Sequence, residues 1–393
     1  MTATLDDESY ARAALTYLAE PGDVTLGALI RACGAARTLA GIKAGSVGDV
    51  APAGLSGLSG PVRAAAVRAM RRWQVRLPEV PPAEEVAGAC RAGIRLACPD
   101  DPEWPGQLAD LGDAQPYALW LRGSADLRFS CLRSVAIVGS RAASAYGSYV
   151  ASEFAASVAA RGWAVVSGGA YGVDAAAHRG AIGAEGVTVA VLACGVDVPY
   201  PAGHRDLLDA VAAQGVVVSE WPPGRNATRL RFLVRNRVIA ALAPGTLVVE
   251  AGRRSGALNS ARHARDLNRA LMAVPGPITS DLSAGCHHII REWQGTLVTS
   301  AAEVIECLSP VAAAPGESQL APRRAASAVL NRDELDPETA AVLDALPSRG
   351  GMGPGRIAHR AGFDPATVVR CLGTLAAGGF AERCEQGWRL RRA

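Results

Sequence analysis

The 393-residue sequence is poor in aromatic residues, in lysine and in net charge, and its cysteines form no C-x-x-C pair. Aromatic residues make up only 5%, so the core must be built mainly from Ala, Val, Leu and Ile. A net charge of +3 does not by itself indicate a nucleic-acid partner, so any contact with DNA must come from local patches. Because Lys43 is the single lysine, the choice of Arg over Lys at a given position says little about phosphate binding.

Other absences concern the cellular compartment and cofactors. The nine cysteines have no spacing typical of a zinc site or a disulfide framework. No stretch of about 20 apolar residues occurs, which excludes a membrane span. The acidic N-terminus, MTATLDDESYARAAL, lacks the apolar run of a signal peptide. We therefore expect a cytoplasmic protein with reduced cysteines, no membrane association, and no metal or other cofactor.

A chain of this length predicts two or three domains. Residues 1–77 predict a small helical domain, because apolar residues recur at helical spacing between Gly-rich turns. Such a unit, like a SAM or helix-hairpin-helix domain, is as typical of a DNA-binding accessory as of a packing module, and the sequence leaves both open. Residues 84–308 alternate strands with helices. Residues 309–330 are rich in Pro, Ala and Ser without periodicity, which indicates a flexible linker. Residues 331–393 have the order helix, helix, helix and hairpin, which is that of a winged helix.

The central segment predicts an α/β domain with an extended Rossmann-like, doubly wound parallel sheet. Short β-branched runs, from Val135–Val138 to Leu271–Val274, alternate with Ala-rich helical segments. Apolar strands separated by helices indicate a parallel sheet that is covered on both faces. Connections of this length make the sheet doubly wound. The strand-like run Tyr117–Arg122 precedes these strands, and we expect it to be a lead-in segment that packs against the sheet domain.

The first candidate site residues, Gly139, Ser140 and Arg141, directly follow the strand Val135–Val138. Ligands of doubly wound sheets bind beyond the carboxyl ends of the strands, near the point where strand order reverses. Glycine lets an anion approach the backbone, the next helix offers free N–H groups, and Arg141 adds a charged fork. The segment is not G-x-G-x-x-G, so a dinucleotide is not predicted. A tight turn with a surface arginine is the alternative.

A second Gly-rich turn, Gly168–Gly169, follows the strand Ala164–Val166. Asp174, a few residues later, is typical of a helix cap, and His178 is more typical of a packed histidine than of a base. The G-x-S-x-G elbow is missing, which argues against a serine hydrolase.

A third such turn, Ser255–Gly256, comes shortly after Glu250. Glu250 is the one plausible catalytic carboxylate. However, a lone acid at a strand end usually orients neighbouring loops.

Residues 225–237 hold five arginines, no acidic residue and one phenylalanine. Basic charge follows a phosphate backbone while an aromatic ring stacks on a base, so this density favours nucleic acid. A solvated loop, or arginines that cap a helix, is the alternative. The candidate contacts from this segment are Arg229, Arg231, Phe232, Arg235, Asn236 and Arg237.

In this order, the motifs resemble the DprA/Smf (DNA-processing protein A) family throughout residues 98–308. The lead-in Asp-x-x-Trp-Pro and the segment Trp120-Leu121-Arg122-Gly123 also look like that family. The resemblance is carried by G-S-R at 139–141, S-G-x-A-x-G-x-D at 167–174 with His178, Tyr200-Pro201, Ser219-Glu220, Arg235-Asn236-Arg237, Glu250-Ala251 with Ser255-Gly256, Pro275-Gly276 and the Ser-x-Gly turn at 283–285.

The resemblance implies a protein that coats single-stranded DNA and helps to load RecA recombinase onto it, in natural transformation or homologous recombination. It also implies a homodimer without catalytic activity, with single-strand-binding protein as a further candidate partner. At the matching positions it implies that Arg141 and the Gly139–Ser140 backbone hold phosphates, that Gly168–Gly169 and Ser255–Gly256 line the same groove, and that the basic residues before Asn236 contact the strand together with Phe232.

Two positions depart from the family's pattern. Tyr171 stands where the family usually has Arg, and His287 stands where an Asn usually follows the Ser-x-Gly turn. The first departure removes a phosphate-binding charge or replaces it with a stacking ring. It therefore puts the affinity, and a role in transformation, in question.

Two other functions fit parts of the sequence. A phosphoribohydrolase-like enzyme is built on a similar core, but Pro275-Gly276 is not followed here by the G-x-G-T-x-x-E that supplies its catalytic Glu. A winged-helix transcription regulator is the other alternative. Its candidate recognition helix carries Arg370 beside Asp364, which is poor for reading base edges.

Overall fold

The computed structural model of the protein describes residues 5–45, 60–309, 335–347, 350–377, 380–384 and 387–390. The chain forms two compact units, Met1–Pro310 and Val311–Ala393. Apart from Ser309, the predicted linker over 309–330 lies outside the described residues. All nine cysteines are free thiols. No helix in the described ranges is long and apolar enough to cross a membrane.

Within its described residues, the first unit begins with five α-helices. Asp6 and Asp23 cap the first two, because their carboxylates accept hydrogen bonds from backbone N–H groups of the first turn. Leu15, Leu29 and Trp73 lie in their common apolar core. The helices are α1 (Asp7–Leu18), α2 (Val24–Cys33), α3 (Ala35–Ala44), α4 (Gly60–Val75) and α5 (Ala83–Arg91).

These helices and the sheet belong to the same compact unit. Trp120 Nε1 in the sheet donates to Thr16 Oγ1 at 3.4 Å, and Trp221 Nε1 donates to Glu20 Oε2 at 3.1 Å. Tyr117 completes the contact, because its ring packs in the helical core.

A nine-stranded sheet forms the centre of this unit, within its described residues, in the order β1-β2-β6-β5-β4-β3-β7-β8-β9. The strands from β3 to β9 pair in parallel. The strands are β1 (Ile94–Ala97), β2 (Leu119–Gly123), β3 (Ser134–Val138), β4 (Ala164–Ser167), β5 (Thr188–Val191), β6 (Val216–Ser219), β7 (Gly245–Val248), β8 (Ala270–Ala273) and β9 (Thr296–Leu297).

The doubly wound α/β prediction is confirmed, with helices on both faces. Apolar residues of the two faces form separate cores, since alternate residues of each strand point to opposite sides. The helices are α6 (Leu127–Leu132), α7 (Ala145–Ala159), α8 (Val173–Gly183), α9 (Arg205–Gln214), α10 (Arg229–Leu242), α11 (Gly256–Asp266), α12 (Ala284–Glu292) and α13 (Ala301–Leu308).

One edge of the sheet differs from the prediction. The run Tyr117–Arg122 is not a segment outside the sheet, because its residues from Leu119 onward form β2. β2 pairs antiparallel with both β1 and β6, as in Trp120 opposite Ser219. An antiparallel pair needs no crossover helix, so this edge carries no alternation of strands and helices that the sequence pattern could reveal.

The strand order reverses at β3. From β3 the chain steps through β4 and β5 to β6 on one side, and it returns to β7, β8 and β9 on the other. The carboxyl ends of β3 and β7, with β4 beside them, therefore form the crevice in which ligands of such sheets bind.

The second unit has the predicted winged-helix order. Its apolar core includes Val342, Ile357 and Leu372, and Met352 pairs with Trp388 beside the hairpin. Its elements are α14 (Pro337–Ala345), α15 (Pro354–Ala361), α16 (Pro365–Ala377), β10 (Ala381–Cys384) and β11 (Gly387–Leu390).

Candidate nucleic-acid interface

A cleft of about 650 Å³ opens at the crevice where the strand order reverses. The turn after β3, the N-terminal end of α10 and the N-terminal end of α11 surround it. The sequence-predicted residues that line it are Gly139, Ser140, Arg141, Arg229, Phe232, Arg235, Asn236, Ser255 and Gly256. Elements far apart in the chain thus bring most of the predicted site together.

The turn after β3 is fixed by backbone contacts with the turn after β7. Ser140 N donates to Glu250 O at 2.7 Å, which ties the two turns together. Gly139 leaves no room for a side chain, since a Cβ there would lie 2.5 Å from a methyl group of Val173. Arg141 follows at the surface, with its side chain exposed.

Glu250, the one candidate catalytic carboxylate, holds the start of α7. Its carboxylate accepts from Ser144 N at 2.9 Å and from Ser144 Oγ at 2.5 Å, and the residue is buried. A Cβ at Gly147 would collide with this carboxylate at 2.1 Å. Glu250 therefore orients two loops, as expected for an acid at a strand end.

Arg235 lies under the cleft and braces the turn after β4. Its Nη1 donates to Gly168 O at 2.7 Å and also to Val191 O. A Cβ at Gly168 would meet the guanidinium at 2.6 Å, so the glycine is required by this packing. Burial lowers the pKa of Arg235 to about 10, although nearby Asp174 opposes this shift. Arg235 therefore remains positively charged at neutral pH.

The two histidines beside this turn are packed, as the sequence favoured for His178. His178 is fully buried, its Nδ1 lies 2.7 Å from Thr188 Oγ1, and burial lowers its pKa to about 3. His204 Nδ1 donates to Gly169 O at 2.9 Å. Burial also raises the pKa of Asp174. None of these three groups resembles a base exposed to a ligand.

Phe232 forms an aromatic platform between the large cleft and a smaller cavity of about 70 Å³. The Arg141 guanidinium lies over its ring, 4.4 Å from the centroid. The ring of Tyr200 is 5.4 Å away and tilted by 44°. Gly168 and Tyr171 line the smaller cavity with them. The Arg141 guanidinium and the rings of Phe232 and Tyr200 therefore lie side by side at this surface.

Ser255 caps α11, whose first turn forms the third side of the cleft. Ser255 Oγ accepts from Ala257 N at 3.2 Å, and Gly256 has open space where a Cβ would lie. Asn236 Nδ2 donates to Gly256 O at 3.3 Å and to Asn259 Oδ1 at 3.2 Å. Asn236 thus positions α11 against α10.

Exposed arginines of the cleft carry its positive charge. Arg141, Arg229 and Arg254 are exposed, and none forms an ion pair with any residue that the structure describes. The acidic residue in the lining, Asp174, is buried beside Arg235. The cleft therefore presents cations and helix N-termini to solvent, a combination that accepts phosphates.

Four predicted site residues do not line the cleft: Gly168 lines the smaller cavity instead, and the other three have structural contacts. Arg237 is buried, and its Nη1 and Nη2 donate to Glu220 at 2.6 and 2.5 Å. Arg231 donates twice to Glu20, at 3.0 and 2.7 Å. Gly169 has a φ of +68° and accepts from His204. Their geometry is that of structural residues, so we leave them out of the proposed interface.

The two departures from the family pattern have defined contacts. Tyr171 is 51% exposed and its ring packs edge-on against His204, 4.4 Å between centroids. His287 Nε2 lies 3.0 Å from Gly276 O and donates to it in the matching tautomer. Tyr171 therefore offers a ring at the smaller cavity where the family has a charge, and His287 joins two turns.

Sequence reasoning missed two residues of this surface. Arg254 lines the cleft, and its position directly before the Ser255–Gly256 turn was the available signal. Tyr200 lines both cavities beside Phe232, whereas the sequence indicates it only through the family pattern. In the described residues no cluster of three or more His, Cys, Asp or Glu is placed to hold a metal ion.

Comparisons with known proteins agree with this architecture. The family model described as DNA recombination-mediator protein A matches residues 95–309, and an IclR helix-turn-helix model matches residues 339–384. A Mycobacterium tuberculosis protein named DNA processing protein DprA is 41% identical over 99% of this chain and 96% of its own length.

Two further matches come from other bacteria. Protein Smf of Escherichia coli is 39% identical over 53% of this chain and 56% of its own length. The X-ray structure of DNA processing protein A from Streptococcus pneumoniae is 29% identical, with a TM-score of 0.59 over 77% of this chain and 98% of that one. By its family model, its near full-length relative and its fold, this chain belongs to the DprA/Smf family of DNA-processing proteins in recombination.

Proposed function

We propose that this protein binds single-stranded DNA in the cleft beside β3 and β7, and that it delivers the strand to RecA recombinase during recombination or natural transformation. In this proposal it acts in the cytosol as a homodimer and catalyses no reaction. Single-strand-binding protein is the competitor that it displaces.

The observation that carries the proposal is the set of exposed arginines around Phe232. Arg141, Arg229 and Arg254 are exposed cations that form no ion pair within the described residues, and phosphates attract such charge regardless of sequence. The ring of Phe232 lines the same cleft, and stacking of an aromatic ring requires a base that is not paired in a duplex. Charge and ring together favour a single strand over a duplex.

An enzymatic function finds less support. A hydrolase needs a carboxylate that reaches its substrate, whereas Glu250 is held by Ser144 and Asp174 is buried beneath the turn. A sequence-specific regulator finds less support as well. Arg370, the one arginine of α16, pairs with Glu338 at 2.6 Å. We therefore propose that the winged helix contacts a protein.

A salt titration tests the DNA-binding part of the proposal. Binding of the full chain to a single-stranded oligonucleotide and to a duplex of equal length is measured by fluorescence anisotropy from low to high salt. We expect the single strand to bind more tightly at every salt concentration, and its affinity to fall linearly on a logarithmic plot as counterions are released. Failure to bind single strands at low ionic strength would contradict it.

A loading assay tests the RecA part separately. Strands coated with single-strand-binding protein are mixed with RecA in the presence or absence of this protein. The rate of ATP hydrolysis by RecA reports filament formation. We expect faster filament formation with the protein present, and a smaller gain with Arg141→Ala at protein concentrations that do not saturate the variant. Sedimentation velocity over a range of concentrations tests the homodimer.

A further inference from the structure

A second groove, of about 570 Å³, lies on the outer side of α11 and α12, beside the cleft. Among the residues that the structure describes, no acidic side chain lines it. Its lining consists of Arg253, Arg254, Ser255, Leu258, Asn259, Arg262, His288 and Trp293.

The charge of this groove is open to solvent. Arg253, Arg254 and Arg262 are exposed, and within the described residues none of them forms an ion pair. An arginine that serves only the fold would be expected to meet an acidic or carbonyl partner, as Arg237 and Arg235 do. The groove therefore holds cations that the fold itself does not use.

Trp293 gives the groove an aromatic platform. Its side chain is half-buried, and the guanidinium of Arg265 lies over the ring, 4.8 Å from the centroid. The His288 ring meets it edge-on at 5.2 Å. An arginine over an aromatic ring also marks the first cleft, where Arg141 covers Phe232. Both sites thus combine exposed guanidinium groups with a ring on which a base can stack.

The two sites are continuous along the N-terminal end of α11. Arg254 and Ser255 line both of them. Asn259 of the groove accepts a hydrogen bond from Asn236 of the cleft at 3.2 Å, so the two linings are also fixed to each other. A chain that leaves the cleft past Ser255 therefore enters the groove directly.

We propose that this groove, here called the Trp293 groove, binds the continuation of the single strand held in the cleft. Arg253 and Arg262 bind its phosphates and Trp293 stacks one of its bases. The inference rests on the proposed function, because it assumes that the cleft binds single-stranded DNA. It adds a second stretch of contact with the strand. The affinity should therefore keep rising with strand length after the strand is long enough to fill the cleft.

The test compares a short strand with a long one on the same variants. Oligothymidylates of about 5 and about 15 nucleotides occupy the cleft alone or the cleft and the groove. The double variant Arg253→Ala/Arg262→Ala and the single variant Trp293→Phe are compared with Arg291→Ala. The last is a matched control, because Arg291 is an exposed arginine of α12 that does not line the groove.

We expect R253A/R262A to bind the long strand roughly tenfold more weakly, with a salt slope reduced by about 1.4, since each lost phosphate contact on a single strand removes about 0.7. Its affinity for the short strand stays at the wild-type value, which also shows that the cleft is folded. W293F, which retains a smaller ring and its packing, gives a smaller loss that is again confined to the long strand. R291A binds both strands like the wild type.

Other results overturn the inference in distinguishable ways. If R253A/R262A binds the long strand normally, the groove does not contact DNA, and the proposed function stands. If the affinity of R253A/R262A falls equally for the short and the long strand, the groove is not a contact separate from the cleft. If it binds normally but its self-association changes in sedimentation velocity, the groove is a protein contact. If the wild type binds neither strand, the proposed function itself fails.

Discussion

Apart from Arg235, which is buried against carbonyl groups, the arginines of the segment 225–237 divide into two groups that the sequence does not distinguish. Arg229 faces the cleft and has no acidic partner in the described part of the chain. Arg225, Arg231 and Arg237 instead meet Glu79, Glu20 and Glu220. Two of these acids come from the N-terminal helical region, which neutralises one side of the arginine-rich segment while the other side stays open. Local charge density thus identifies a basic segment, but the partners contributed by the fold decide which arginines are available to a ligand.

The largest effect is expected from Arg237, a member of the neutralised group. The side chains of Arg237 and Glu220 are only 7% and 3% exposed, so Arg237→Ala leaves a buried carboxylate without its partner. We expect the free energy of unfolding to fall by about 3–5 kcal/mol. Urea denaturation followed by circular dichroism measures this.

The double variant Arg237→Met/Glu220→Leu is the control for this prediction. It removes both charges at once and should recover most of the lost stability, because no charge stays buried alone. If Arg237→Ala is as stable as the wild type yet binds DNA poorly, Arg237 belongs with the arginines that contact DNA. The division into paired and open arginines is then wrong.

The next largest effect is expected at the open side. Arg141→Ala removes an exposed cation and its contact over Phe232. We expect affinity for all single-stranded sequences to fall roughly tenfold, and the salt slope to decrease by about 0.7. Stability should stay at the wild-type value. Anisotropy titrations at several salt concentrations measure both quantities.

Arg161→Ala is the matched control on the same region of the chain. Arg161 is exposed at the far end of α7, where it donates to Ser157 O at 2.7 Å, and it does not line the cleft. Its loss should leave affinity and slope unchanged. Equal losses from both variants would mean that the overall charge of the protein, rather than the cleft, attracts the strand.

A smaller effect is expected at Arg231, which lies two residues from Arg229 but pairs with Glu20. Arg231→Ala should lower the free energy of unfolding by about 0.2–1 kcal/mol, the range for partly exposed ion pairs. DNA affinity should not change. Arg229→Ala, in contrast, should weaken binding at constant stability. If Arg231→Ala and Arg229→Ala had the same effects on stability and on DNA affinity, the paired and the open arginines would not be distinct groups.

The smallest effect concerns pH. Burial opposes ionisation of Glu20, but hydrogen bonds from Arg231 and Trp221 prevail and hold its pKa below the ordinary 4.5. Its contribution to stability is therefore complete above pH 4.5 and is lost as the pH falls through the lower, folded value. Glu20→Gln should be slightly less stable than the wild type at pH 7. The gap should close in strong acid, as measured by urea midpoints at each pH, and a gap that persists there would contradict the ion pair.

Much of the fold could be predicted from the sequence because it is encoded locally. Each buried strand from β3 to β8 is a short apolar run. Several of the following helices, such as α7 and α8, are Ala-rich, and some begin at a capping residue such as Ser144 or Ser255. The antiparallel edge could not be predicted, since Leu119–Gly123 looks the same whether it pairs in a sheet or packs against one. Strand pairing at that edge is a tertiary property.

The site shows the same division between local and tertiary information. The turns at Gly139, Gly168 and Ser255 could be found because their residue types and their places after strands are local features. The role of Arg231 could not, because its partner Glu20 lies 211 residues away. The sequence also predicts Arg235 as a DNA contact, and it does not reveal that the side chain donates to the carbonyl groups beneath the turn.

Glu20 has a practical consequence for work on fragments of this protein. Its carboxylate is bonded at once to Arg231 and Trp221, and it lies 3.7 Å from Arg76. A shortened protein that begins after the N-terminal helices would uncover Trp221 and release Arg231 from its acid. Such a fragment would associate non-specifically more readily than the whole chain, and its affinity for nucleic acid would overstate that of the intact molecule.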